Sequence, residues 1–231
     1  MALEIDLINS VAQTLRLAWT EREGRIVPEP ESIGLGNDAV KIRAAVLYAD
    51  MSGSTALVDS YSPRFAAEIY KCYLECAARI IKSEGGAITA YDGDRIMAVY
   101  LGEGKETSAA RTGLKLNFAV QKIINPAIEN QYPSLGYKMN HAVGVDVSEL
   151  FVSRVGVRND NDLTWVGRAA NHAAKLSDLE DGYVFISKDI FDALEYPARY
   201  GGPENSMMWE TRFWTAMDGR TIYRSNWWWR C

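Results

Sequence analysis

Cysteine and histidine are scarce in this chain of 231 residues, with three of the first and two of the second. Cys72, Cys76 and Cys231 are odd in number and irregular in spacing, which does not make a disulfide framework. Cys72 and Cys76 stand four apart in a helical stretch, but no further Cys or paired His completes a zinc set. Buried or half-buried thiols are the expectation. No apolar run approaches the ~18 residues needed to span a bilayer. Residues 1–10 carry Glu4 and Asp6 and lack the basic start and long apolar stretch of a signal peptide, so the expected compartment is the cytoplasm. A Lys/Arg block is also missing: 25 basic residues face 30 acidic ones, for a net charge of -5. That balance is a poor fit to long nucleic acid, while a basic pocket for one small anion stays possible. There is no internal repeat and no low-complexity tract.

What the chain has is apolar substance: 48% of its residues are hydrophobic, enough for one large domain or an ordinary domain with an appendage. Ile5, Ile8, Val11, Ala12, Leu15 and Trp19 recur at helical spacing and predict an amphipathic helix over residues 3–22. Gly24, the Pro28-Glu29-Pro30 run, Gly34 and Gly36 then break the pattern. The reading is an N-terminal helical arm and linker, residues 1–38, followed by one main domain, residues 39–231. Within it, residues 42–49 form an apolar β-rich run ending at Asp50, and 51–55 a short loop with Gly53. Residues 63–83 are helical, with Pro63 suited to the first turn, and Gly85-Gly86 ends that helix. Residues 87–91 and 95–101 read as strands joined at Asp92-Gly93-Asp94, a hairpin signal. A long helix is expected over 106–131 and two strands over 138–147 and 150–157. A polar turn leads to a short strand at 163–166, and Gly167 precedes a helix to Leu176. Residues 184–187 are a further strand with a short helix behind it, and 207–224 two strands around Asp218-Gly219. Helices alternating with hairpins imply an α+β fold, with helices packed on an antiparallel-rich sheet.

Asp50 ends an apolar strand and Asp94 sits at a hairpin tip, positions where packing does not call for Asp. If their strands are neighbours, both carboxylates can converge at one end of the sheet. With the backbone carbonyl of Met51 they can hold two magnesium or manganese ions, an arrangement suited to phosphoryl transfer. Ser52, Gly53, Ser54 and Thr55 would then offer backbone N–H groups to phosphate oxygens. On spacing alone the plainer reading stands beside this one: Asp50 caps the next turn and Asp92-Gly93-Asp94 is only a turn.

Three segments add to that weighing. The run Tyr48-Ala49-Asp50-Met51-Ser52-Gly53-Ser54-Thr55 resembles the opening strand-and-loop signature of class III nucleotidyl cyclases. Gly93-Asp94-Arg95-Ile96-Met97-Ala98 resembles their second metal motif. The run from Val166 through Gly167, Asn171 and Lys175 to Leu176 resembles the third, a Gly before an Asn-centred helix start. They occur in the family's order with compatible spacing, over about residues 41–223. The resemblance implies a class III cyclase catalytic domain with two metals, Mg2+ or Mn2+, on Asp50 and Asp94. It also implies ring closure of a nucleoside triphosphate by its own 3′-hydroxyl, with release of pyrophosphate.

The same resemblance gives Asn171 the ribose and the position four later the transition-state charge. Four apart on a helix is one face. The chain departs here: position 175 is Lys where the family has Arg, which keeps the charge and loses the bidentate fork. A module that binds nucleotide without catalysis is the rival this favours, and intact Asp50, Asp94 and Asn171 oppose it. For the polyphosphate, Arg212 and Arg220 are the nearest basic candidates. His141 reads as a core histidine, and His172 should point away from Asn171. At the base-reading positions the family carries Lys or Glu for purines; here they are Ala90 and Thr164, and Tyr48 and Tyr91 add bulk. The pattern is similar to the pyrimidine cyclases of bacterial Pycsar anti-phage systems, which implies UTP as substrate with CTP second. One copy of each motif implies an antiparallel homodimer with shared sites. A diguanylate cyclase would carry a Gly-Gly-Asp/Glu-Glu-Phe run where this hairpin reads Tyr91-Asp92-Gly93-Asp94-Arg95.

Overall fold

The computed structural model describes residues 2–231. In chain order the elements are α1 (Ala2–Arg16), β1 (Thr20–Glu23), β2 (Asp38–Ser52), α2 (Ser54–Ser60), α3 (Pro63–Ser83), β3 (Ala87–Asp92), β4 (Arg95–Tyr100), α4 (Lys105–Phe118) and α5 (Asn125–Gln131). There follow β5 (Asn140–Val157), β6 (Asp160–Val166), α6 (Arg168–Leu176), β7 (Val184–Ser187), α7 (Lys188–Ala193), α8 (Tyr196–Arg199), the short pair β8 (Tyr200–Gly201) and β9 (Ser206–Met207), β10 (Glu210–Trp214) and β11 (Arg220–Ser225).

β2 is the spine of the main sheet, whose order is β10-β11-β7-β5-β2-β4-β3, with β1 added beside β2 and β6 beside β5. Both faces of β2 are covered, so its apolar run is nearly continuous rather than alternating. Ala45, Leu47, Ala49 and Met51 face the larger cluster, with Ile69 and Tyr73 of α3 and Leu114 and Leu116 of α4. Val40, Ile42, Ala44 and Val46 face a second cluster, with Met97, Val99, Leu150 and Val152, and α6 covers it with Ala169, Ala170 and Ala173. Small residues bring α6 close. A Cβ on Gly144 would stand 2.0 Å from the carbonyl oxygen of Ala173, and one on Gly167 would stand 2.6 Å from that of Glu149.

The α+β architecture is as expected, with several local differences, among them α2, α8 and the β8–β9 pair, which are not expected from the sequence. The pair of strands expected over 138–157 is the single strand β5, because Ser148 and Glu149, which read as a break, stay in register with Ala44 and Arg43 of β2. The segment read as the end of the first helix holds β1, parallel to the start of β2. α1 stops at Arg16 because Asn37 Nδ2 donates to the carbonyls of Thr14 (2.8 Å) and Leu17 (2.7 Å), satisfying groups a helix end leaves open. The helix expected over 106–131 is unbroken along the chain, with a π-helical stretch at Ala119–Ile124 between α4 and α5. Cys72 and Cys231 are exposed and only Cys76 is half-buried, because α3 turns Cys72 outward.

The Trp227-Trp228-Trp229 run lies on α4: Trp229 N–H donates to the Leu114 carbonyl, Asn117 Nδ2 donates to the Trp227 carbonyl, and Trp228 packs on Phe118. Among the described residues no helix is long and apolar enough to cross a membrane.

Candidate active site

Asp50 and Arg95 are direct cross-strand neighbours on β2 and β4. Arg95 donates twice to Asp50 Oδ2, from Nη2 at 2.7 Å and from Nε at 3.2 Å, and Nη2 also donates to Asp178 Oδ1 at 3.0 Å. Asp94 stands beside Arg95 at the turn, where Gly93 takes a φ of 61°. Two carboxylates therefore hold one guanidinium, with the charge of a third, Asp94, nearby. Burial pushes the Asp50 carboxyl above its ordinary range; Arg95 opposes that, and the charges of Asp94 and Asp178 add to it. The Tyr48 ring lies under the guanidinium, 5.9 Å from its carbon to the ring centre.

These donors suit a hard divalent cation, which takes carboxylate and carbonyl oxygens. Among the described residues Asp50 Oδ1 accepts no hydrogen bond, so one oxygen is free to coordinate. No group of three or more His, Cys, Asp or Glu side chains there could hold a metal unaided. Two carboxylates need further oxygens, and the phosphates of a nucleotide are of that kind. The Met51 side chain is buried in the larger cluster, and its backbone sits at the end of the β2–β5 ladder opposite His141.

Ser52 closes β2, Gly53 turns the chain with a φ of 73°, and Ser54 and Thr55 open α2. A Cβ on Gly53 would meet nothing within 4 Å, so the glycine answers to the backbone conformation and not to crowding. The first N–H groups of α2 point out of the helix without an intrahelical acceptor.

Asn171 and Lys175 are both exposed on α6, four apart. Among the described residues neither side chain has a hydrogen-bond or ion-pair partner, so none ties them to Asp50 or Asp94 of the same chain. Beneath them α6 is tied to the sheet by Asp146 of β5, which is wholly buried. His172 Nδ1 lies 3.1 Å and Arg168 Nε 3.3 Å from Asp146 Oδ2, close enough for charge contact although Oδ2 has no hydrogen bond of good geometry. Burial holds His172 below the ordinary histidine range, Arg168 and Arg220 push the same way, and Asp146 opposes them. His172 thus points inward while Asn171 points out, as expected.

Arg220 is exposed at the start of β11. It lines a cavity of 210 Å³ with Asp146, Arg168, His172, Lys188 and Trp214, apart from Asp50 and Asp94. Arg212 is exposed and paired with Glu210. Ala90 of β3, opposite Met97 of β4, is half-buried and, like Tyr48, packs against the second cluster, on the α6 side of the sheet. Thr164 pairs with Ser153 on β6, between Leu163 and Trp165, which pack on that cluster. Tyr91 is exposed. His141 is a core residue: its Nδ1 is 3.2 Å from the Tyr73 hydroxyl and its Nε2 2.9 Å from Asn117 Oδ1, and burial lowers its pKa to about 4.

Sequence reasoning missed Arg95 as the partner of Asp50, Asp178 as the second carboxylate on Arg95 and Asp146 as the anchor of α6. For Arg95 a signal existed, since it directly follows Asp94 and opens the strand expected beside that of Asp50. Asp178 and Asp146 carry none.

No family model matches the chain. Among curated relatives it is similar to uridylate cyclases of Xanthomonas perforans and Burkholderia cepacia, each 46% identical. The first match covers 100% of this chain and 99% of the relative, the second 99% of both. Among solved structures it is similar to the guanylyl cyclase Cya2, with a TM-score of 0.67 over 80% of this chain and 92% of the other at 18% identity, a likeness of fold.

Proposed function

The chain belongs to the uridylate cyclases, a branch of the class III nucleotidyl cyclases, and from that premise we propose that it converts UTP to 3′,5′-cyclic UMP and pyrophosphate. The observation that carries this reading is 46% identity, along the whole chain, to proteins named uridylate cyclase. In this reading Asp50 and Asp94, with the Met51 carbonyl, hold two Mg2+ or Mn2+ ions. Such ions lower the cost of ionising the 3′-hydroxyl and offset charge on the departing pyrophosphate. Residues 52–55 receive the phosphates, Asn171 orients the ribose, Lys175 supplies positive charge, and Arg220 meets the polyphosphate. Because no hydrogen bond or ion pair joins Asn171 or Lys175 to the carboxylates of their own chain, and Arg220 lines a separate cavity, the reading places all three across the interface of an antiparallel homodimer with two shared sites.

Ala90 and Thr164 face the base. Ala90 offers no side-chain donor or acceptor, so a purine edge there would leave polar groups unpaired. The product would serve in the cytoplasm as a messenger in anti-phage defence. The test is competition: equal concentrations of ATP, GTP, CTP and UTP with Mn2+, products identified by mass spectrometry. Cyclic UMP should dominate, with cyclic CMP second. A yield of mainly cyclic AMP or cyclic GMP rules the proposal out.

A further inference from the structure

α1 buries none of its residues. Leu3, Ile5, Leu7, Ile8, Val11 and Leu15 are between 56% and 81% exposed, although together they make a broad apolar stripe. Ile5, Ile8, Ala12 and Leu15 recur at the 3-4-3 spacing of a coiled-coil seam, and Leu7 and Val11 widen it. A helix of this length is marginal alone in water. Its base is nonetheless anchored: Asn37 holds the last carbonyls, and Trp19 packs edge-on against Phe151 with ring centres 4.9 Å apart. The stripe is thus held out from the sheet edge in a defined direction.

Two features select what covers it. The first is charge. The helix carries Glu4 and Asp6 against Arg16 alone, whereas helices that lie on anionic membranes have Lys- and Arg-rich polar faces. The second is self-complementarity about Ser10. In an antiparallel pair centred there, Ile5 meets Leu15 of the other copy, Ile8 meets Ala12, and Glu4 stands level with Arg16. A contact across a two-fold axis requires such matching of a surface to itself.

We propose that α1 is a dimerisation arm whose apolar stripe is covered by α1 of a second copy of this chain. The proposal rests on the homodimer reading above and assigns part of its interface. Covering six large side chains per protomer removes on the order of 500 Å² of apolar surface, a substantial share of the roughly 800 Å² per partner in a standard interface.

The test uses the full chain with Ile8→Asp and Val11→Asp together, both at exposed positions away from the candidate site. Sedimentation across a dilution series should show the dimer dissociation constant raised at least tenfold, with turnover per dimer unchanged at saturating protein. Glu4→Arg alone should weaken the dimer and Glu4→Arg with Arg16→Glu should restore it. An unchanged dissociation constant in the Asp variant, beside a dimeric parent protein, overturns the arm alone. A parent protein that is monomeric at every concentration, with nucleotide and metal present, removes the homodimer reading too. Flotation of the parent protein with phosphatidylcholine–phosphatidylglycerol vesicles overturns the arm in favour of a lipid surface.

Discussion

Arg95 donates to Asp50 twice and leaves one oxygen alone: Nη2 at 2.7 Å and Nε at 3.2 Å both reach Oδ2. The guanidinium helps keep that carboxyl ionised, and in the two-metal proposal it would compete with a metal for Asp50.

If Asp50 holds the metal, Arg95→Ala should therefore tighten Mn2+ binding at pH 8 by at least roughly tenfold, because it removes two charge-assisted hydrogen bonds that contribute about 1.5 kcal/mol or more. Metal binds the carboxylate, and burial raises the pKa of Asp50. On acidification the parent protein should thus lose Mn2+ affinity at a higher pH than the ~3.9 of an ordinary Asp. The variant lacks the contact that holds the pKa down, so it should lose affinity at a higher pH still. Half-saturation of turnover by Mn2+ across pH reads both effects; weaker or unchanged binding in the variant at pH 8 contradicts the competition.

If the site is shared between subunits, Asp50→Ala and Asn171→Ala should each reduce turnover at least a hundredfold, an effect on the order of 3 kcal/mol. Mixing the two inactive proteins should then recover about one competent site per heterodimer. Assays after subunit exchange, followed by mass-tagged copies, decide it. Exchange without recovery means that each chain works alone.

Gly144→Ala should destabilise the fold by about 1–3 kcal/mol, because the added carbon lands 2.0 Å from the Ala173 carbonyl oxygen and 2.6 Å from Ser177 N. Moving α6 also moves Asn171 and Lys175, so kcat should fall as well. Urea midpoints with steady-state kinetics give both; a variant with parental midpoint and kcat shows that α6 does not depend on this close approach.

His141 is held neutral by burial, with its pKa lowered to about 4. The unfolded chain takes up its proton near pH 6.5. Stability from this group is complete above pH 6.5, falls as the pH drops toward 4, and is level below. The total is at most about 3 kcal/mol. His141→Gln should flatten this part of the pH profile of urea unfolding. A parental slope in the variant assigns the effect to other groups.

Much of the local structure was legible along the chain. Pro63 behind Ser62, whose hydroxyl accepts from Phe65 N–H, starts α3 where expected. The Asp92-Gly93-Asp94 turn joins β3 to β4, and Gly167 opens α6. These signals lie within a few residues of their effect. The sequence by itself thus determined most of the order of elements, the α+β class and the inward histidines. It did not determine that β5 is one strand, because Ser148 and Glu149 are polar and only the β2 ladder keeps them extended. Nor did it determine β1, whose pairing needs β2 beside it. The tertiary structure alone decided that Arg95 grips Asp50 and Asp178, and that Asp146 lies buried under His172 and Arg168. Those groups are 45, 83, 26 and 22 residues apart in sequence. Charge contacts depend on distance through space, and strand register set that distance.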